Sequence, residues 1–277
     1  MSLKDQLIQA QHMFAETPIP TMPKEVIELN HAFEKEEFPD LNQLSELISP
    51  NMTLVAEIIK LANQKQFLSP RRTQVLKIRD AIDVIGLKRL KNLVVSVGYQ
   101  LHFANSALAE IAEFNLHTAR VASEIAFHLP QINEDEAYLA GLFHNAGALL
   151  FAARFDNYDE VFANSLGAAY TAPKIEKMHF SSSHTVAGLL VAHKWRLDNV
   201  FNQVILMHHQ ANLSTIQNDK ARTLVAIVQL AMMLVVEVIY PHQYCEEAFG
   251  MMCNSQEELM FEDSLVNELR DELIAYS

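Results

Sequence analysis

"LAGLFHNAGALLF", residues 139–151, is the stretch that decides the fold class. Between Leu139 and Ala153 the only polar side chains are His144 and Asn145. Asn133 with Glu136 forms a capping-box signal just upstream, so the segment predicts a buried helix that carries two hydrogen-bonding residues inside it. A histidine followed by an acid would mark half of a metal site. Here the next residue is Asn145.

Composition extends the helical reading to the whole chain. Its 277 residues suffice for one large domain or two modest ones. Hydrophobic residues make up 50%, with only 7 Gly and 9 Pro, a balance that predicts an all-α protein over a sheet-and-turn or disordered one. The start, "MSLKDQLIQAQ", lacks a basic region followed by an apolar core, so no signal peptide is expected. Leu224–Val236 is the most apolar stretch. It is interrupted by Gln229, ended by Glu237 and too short for a bilayer, and so predicts a core helix and no membrane association. Cys245 and Cys253 are isolated thiols, which suggests a reducing cytoplasm and neither a disulfide framework nor a zinc cluster of cysteines. A net charge of −13 disfavours nucleic acid as a general partner.

Along the chain, Ser2 with Asp5 resembles a capping box, and "TPIPTMP" (17–23) cannot continue the first helix. A helix with Val26, Leu29 and Phe33 follows; Asp40 opens the next, and "SPN" (49–51) restarts the chain into "MTLVAEIIKLANQ". "IRDAIDVIG" ends at Gly86, a C-terminal cap, before "LKRLKNLVVSVGYQLHF", which reads as a long helix. Further helices are expected after "SSS" (181–183) and over 198–209, 219–240 and 256–274. The organisation this predicts is an N-terminal helical subdomain, 1–110, followed by a helical subdomain, 111–277.

Five of the 12 histidines look arranged: His117 in "FNLHTARVA", His144 in "FHN", His184 in "SSSHTVAGLL", and His208–His209 in "ILMHHQ". Imidazoles spread over four apolar helices imply a shared cavity, because buried imidazoles need partners. In this pattern the chain resembles the HD superfamily of metal-dependent phosphohydrolases. His117 matches that group's first histidine, His144 the histidine of its His–Asp pair, and His184, His208 and His209 the later ones. More narrowly it resembles the HDOD domains, HD-related output domains of bacterial signalling proteins. "IPTMPKEVIEL" (19–29), "IIKLANQKQF" (58–67) and "IRDAIDVIGLKRLKNLV" (78–94) carry that likeness, which runs over roughly residues 18–210. It implies an all-α, multi-helix HD-like bundle with an N-terminal helical subdomain.

The departures from the superfamily bear on chemistry. Asn145 stands where the Asp of the pair belongs, the lysine of the "HDxGK" box is replaced by Ala148, and "IVQLAMM" (227–233) puts Met232 at the late acidic position. A hydrolytic metal centre needs ligands that offset cationic charge, while an amide oxygen is neutral and a thioether soft. These losses predict no hydrolysis, no catalytic residue and no cofactor. The alternative is a divalent metal (Zn, Mn, Fe or Mg), either in a histidine-only site of His117, His144 and one of His184, His208 or His209, or helped by a carboxylate such as Glu237 or Asp156. The remaining option is a relict cavity whose imidazoles bond to one another or to water.

Arg71, Arg72, Lys77, Arg79, Lys88, Arg89 and Lys91 place seven basic residues in 21 positions, opposed only by Asp80 and Asp83. The segment is either a patch for an anionic nucleotide or an acidic protein face, or a solvated face whose stems cover apolar surface. Taken together, these features predict a cytoplasmic regulatory module that binds a signalling protein. The alternative is a phosphohydrolase acting on a nucleotide or phosphate monoester.

Overall fold

The computed structural model describes residues 2–19, 39–63, 74–87 and 108–276, together with 28, 29, 32, 89, 90, 93–95, 97 and 99. Every regular element among them is helical, and the chain is an all-α, HD-like multi-helix bundle. It divides into two compact units, Thr21–Asn105 and a larger one formed by Met1–Pro20 with Ser106–Ser277. Residues 1–20, grouped by sequence with the N-terminal subdomain, therefore join the later helices. The reason is packing: α1 (Leu3–Met13) begins with the expected capping box and lies against α10 (His184–Lys194), burying Ala10.

In the smaller unit, α2 (Leu41–Ile48) starts at Asp40, whose carboxylate accepts from the amides of Asn42 and Gln43. Those two bonds hold the Asp40 pKa below its usual value. α3 (Met52–Ala62) and α4 (Ile78–Ile85) follow. α4 ends at Gly86 with φ +82°, a left-handed position that favours glycine. Leu44, Ile48, Leu54, Ile58, Ala81 and Ile82 form this unit's core. Val26 and Phe33 of the expected second helix lie outside the described residues, as do Arg71, Arg72, Lys88 and Lys91 of the basic segment. Lys77 and Arg79 are exposed and Arg89 is half-buried.

The larger unit is built around α12 (Asp219–Ile239), in which every residue from Leu224 to Val236 is buried. α5 (Ala109–Phe127), α6 (Glu134–Phe143), α11 (Asn199–Met207) and α13 (Glu246–Leu259) pack on it. Among the described residues α12 alone is long and apolar enough to cross a membrane, and 72% of its most apolar stretch is buried within the protein. The expected single C-terminal helix is instead two, because Met260 adopts φ +55° and separates α13 from α14 (Asp263–Tyr276). The Gln256 side chain braces that turn, donating to the Phe261 carbonyl and the Asp263 carboxylate.

The opening stretch also departs from a single helix. α6 stops at Phe143, and α7 (Ala146–Arg154) starts afresh after a turn at His144 and Asn145. Close helix packing explains the break. A side chain at Gly147 would put its Cβ 1.9 Å from the His184 carbonyl oxygen and 2.5 Å from the Gly188 amide, so α7 touches α10 backbone to backbone. The turn presents both polar residues to the interior, where His144 is fully buried and Asn145 nearly so.

Candidate metal centre

Three helix ends meet beside that turn. α8 (Tyr158–Ser165) and α9 (Ala172–Phe180) lead into it, and α9 ends at Ser181, whose φ of +62° turns the chain back into α10. Ser183, the residue before α10, makes no side-chain cap bond; its hydroxyl pairs with that of Thr185. The cap comes from α9. One Glu176 oxygen accepts from the His184 amide at 2.7 Å and from His184 Nδ1 at 2.8 Å, and the other accepts from the Tyr158 hydroxyl at 2.5 Å. A carboxylate at a helix N-terminus is also favoured by the helix dipole. This glutamate is itself buried.

α11 ends at His208, and His209 follows. Gln229 of α12 fixes this end by donating to the carbonyls of His208 (3.0 Å) and Gln210 (2.9 Å), while its own oxygen accepts from Ser255. Replacing Gln229 by Leu strips the buried His208 carbonyl and the part-buried Gln210 carbonyl of their donor. We expect a loss of about 2 kcal/mol in urea denaturation.

The ring bonds fix the histidine tautomers. His144 Nδ1 faces the Gly141 carbonyl at 2.6 Å, His208 Nδ1 the Ile205 carbonyl at 2.9 Å, and His209 Nδ1 the Ala169 carbonyl. A carbonyl only accepts, so each of these nitrogens carries hydrogen and each neutral ring keeps a bare lone pair at Nε2. Two of these lone pairs, on His208 and His209, face His184. His184 Nε2 lies 3.1 Å from both His208 Nε2 and His209 Nε2, and the three residues offer ligand atoms all within 4.8 Å of one another. The His144 ring centre is 5.0 Å from that of His208, and among the described residues neither its buried Nε2 nor Asn145 Oδ1 has a hydrogen-bond partner.

Electrostatics keep the rings of His144, His208 and His209 neutral. Burial, reinforced by the neighbouring histidines, pushes His144 and His209 down to about 3 and His208 well below its ordinary value. Burial alone would raise the Glu176 pKa, but the attraction and hydrogen bonds of His184, with the Tyr158 hydroxyl, outweigh it and leave it lowered. The Tyr158 phenol is pushed up by burial and by the adjacent Glu176.

A cavity of about 20 Å³ opens among Asn145, Glu176, His184, His209 and Met232. That is room for one water or one ion. The neutral rings of His144, His208 and His209 and the unpartnered Asn145 oxygen suit a cation bound mainly through nitrogen. They do not suit a hard ion held by carboxylates.

The sequence-derived residues divide accordingly. His144, Asn145, His184, His208, His209 and Met232 come together. His117 does not join the gathered nitrogens; half-buried on α5, it turns to Glu113 at 3.8 Å. Burial, then the Arg120 charge, lowers its pKa against the pull of Glu113. Glu237 pairs with Arg270 at 2.8 Å, and Asp156 is exposed, so neither supplies the missing acid. Glu176 and Tyr158 escaped sequence reading, because an acid on a polar helix face looks like any solvated charge.

A loop held from far away completes the site. Ala169, the acceptor for His209, lies between α8 and α9. Cys245 Sγ donates to the Gly167 carbonyl at 3.1 Å, and Glu247 accepts from the amides of Tyr170 and Thr171 and from the Thr171 hydroxyl. A Cβ at Gly167 would stand 1.8 Å from the Gln243 carbonyl oxygen.

Comparison with known proteins agrees with this architecture. An uncharacterized protein of Treponema pallidum (strain Nichols) is 26% identical over 200 residues, covering 69% of this chain and 37% of that relative, so the chain spans little more than a third of the relative's length. An HDOD domain protein of unknown function from Geobacter sulfurreducens shares the fold at a TM-score of 0.67, with 20% identity and 98% of each chain covered. A candidate phosphohydrolase from Shewanella amazonensis SB2B gives 0.63 at 19% identity, covering 99% of this chain and 93% of that one. A candidate signal transduction protein from Marinobacter aquaeolei VT8 gives 0.67 at 18% identity, covering 99% of this chain and 63% of that one. Residues 19–211, which include every helix that brings an imidazole to the cluster, match the family model of the HDOD domain, and the chain belongs to that family.

Proposed function

We propose that this chain is a regulatory module of the HDOD family that acts by binding a signalling protein and does not hydrolyse phosphate esters. One observation carries the reading: among the described residues lining the cavity the sole carboxylate is Glu176, and it is occupied behind His184 by three donors. Asn145 and Met232, which the HD resemblance matches to acidic positions, both line this cavity. Charge neutralisation of a metal-bound water and activation of a nucleophile both lack a group to perform them. A cavity of about 20 Å³ also excludes a nucleotide.

The signalling role draws on family membership and on the named role of the Marinobacter neighbour. Protein purified without a histidine tag should turn over neither nucleotides nor phosphate monoesters with Zn²⁺, Mn²⁺, Fe²⁺ or Mg²⁺ supplied. Turnover abolished by His144→Ala would replace this reading with a metal-dependent phosphohydrolase. The partner itself is sought by crosslinking in the native host, with His144→Ala protein as the comparison.

A further inference from the structure

We infer that a second cavity, of about 710 Å³ between α1, α10 and α11, is a site for a soluble amphiphile of the fatty-acid class, with Lys194 receiving its carboxylate. The inference goes beyond the reading above, because it involves neither the imidazole cluster nor hydrolysis.

Three helices each turn one face to this cavity. Leu3, Leu7 and Gln11 recur at one-turn spacing along α1, and Phe14 continues the row just past its end. α10 supplies Leu189 and Leu190 and, one turn on, His193 and Lys194. α11 supplies Asn199, Asn202, Gln203 and Leu206. All of them belong to the unit formed by Met1–Pro20 and Ser106–Ser277. Leu3 is exposed, and Leu7, Leu189, Leu190 and Leu206 are only half-buried, so an apolar body lying here removes their surface from water. The volume falls within the roughly 300–1,000 Å³ of small-molecule sites, which are apolar with a few convergent polar groups.

Those polar groups gather toward one end. α10 and α11 run antiparallel, since His184 at the start of α10 meets His208 at the end of α11. His193, Lys194 and Asn199 therefore flank the turn between the two helices, while Leu189, Leu190 and Leu206 lie back toward the imidazoles. From Asn199 to Leu206 is about 10 Å along the helix. The cavity thus has a polar end and an apolar end, as an amphiphile does.

Charge selects the head group. The chain carries −13, yet among the described lining residues Lys194 is the sole charged side chain and no carboxylate is present. Asp198, which precedes α11, lies outside the lining. Among the described residues neither Lys194 nor the side-chain amides of Gln11, Asn199, Asn202 and Gln203 bond to the protein. Amides elsewhere on the same unit, such as Asn212, Asn254 and Gln256, are bonded within it. An uncommitted ammonium among uncommitted amide donors suits a carboxylate, and the leucines beyond suit its chain.

The test is a fluorescence titration with cis-parinaric acid, a polyene fatty acid that emits on leaving water. Wild type is expected to bind one per chain. Dodecanoate should displace it about 5-fold more effectively than dodecan-1-ol, the margin of an exposed charge pair. Lys194→Gln should abolish that margin while the alcohol competes as before. Gln203→Trp places an indole in the cavity and should weaken parinarate about 10-fold or more, the cost of leaving two methylenes in water. Leu7→Gln, on the outer helix α1, is the second blocking variant, and thermal melts establish which variants are folded. A wild type that leaves parinarate unbound overturns the site, and so does binding that folded blocking variants leave intact. An acid–alcohol margin that survives in folded Lys194→Gln overturns the role of Lys194. Protein that sediments with phosphatidylglycerol vesicles but ignores monomeric parinarate overturns the soluble ligand in favour of a membrane surface.

Discussion

Alanine at position 147 is expected to destabilise the protein by about 3 kcal/mol or more, read as the shift in urea midpoint. The added methyl would stand 1.9 Å from the His184 carbonyl oxygen and 2.5 Å from the Gly188 amide. Both are backbone atoms, so relief requires α7 and α10 to part, and that movement would carry His184 away from Glu176. Gly188→Ala provides the control. Its Cβ would meet an Ile205 methyl at 2.6 Å and the Gly147 amide only at 3.2 Å, so side-chain adjustment absorbs most of the strain. Equal costs for the two variants would mean that the two helices do not touch at Gly147.

Acid should destabilise the metal-free protein well above the range of ordinary carboxylate titration. His144 and His209 have folded-state values of about 3, against 6.5 for an unperturbed histidine. The unfolded chain therefore binds protons below pH 6.5 that the folded chain refuses until about 3. Their contribution is complete above pH 6.5 and declines as pH falls through that window, by about 1.4 kcal/mol per unit per histidine. His208 shifts in the same direction. Glu176, with its pKa lowered, adds stability above its unfolded value of 4.5 that is lost at still lower pH. From pH 7 to pH 5 the two histidines at about 3 together account for up to about 4 kcal/mol. Urea titrations of chelator-treated protein should show this slope, and His209→Gln should flatten it. A stability profile level between pH 7 and pH 5 would contradict the burial of these rings.

How much of this was legible in the sequence depends on the kind of signal each element leaves. Helix starts were readable where a side chain makes the cap: Ser2, Asp40 and Asn133 all accept the amide bonds their positions imply. The run Leu224–Val236 declared its burial, because nothing polar interrupts it except Gln229. Breaks within helices were harder. The turn at His144–Asn145 follows from a contact between helices far apart in the chain, and the one at Met260 from a left-handed residue with no glycine to announce it. For the site, histidine identity and helix ends carried His144, His184, His208 and His209 into one place. His117 shared the pattern and still turned toward Glu113, since a residue type does not reveal which way its ring points. Glu176 and Gln229 act through bonds that cross eight and about twenty residues, and no local spacing encodes them.

The loop carrying Ala169 has a consequence for where this protein ends as a working unit. The family match stops at residue 211, yet the carbonyl that orients His209 is moored by Gln243, Cys245 and Glu247, and the end of α11 by Gln229. A chain trimmed to the shared module would keep all four rings and forfeit the moorings that aim two of them. The stretch that matches the family model and the stretch that sets the geometry of the site are thus different lengths of polypeptide, because α12 and the residues after it supply both the buried core beneath the rings and the bonds that aim them.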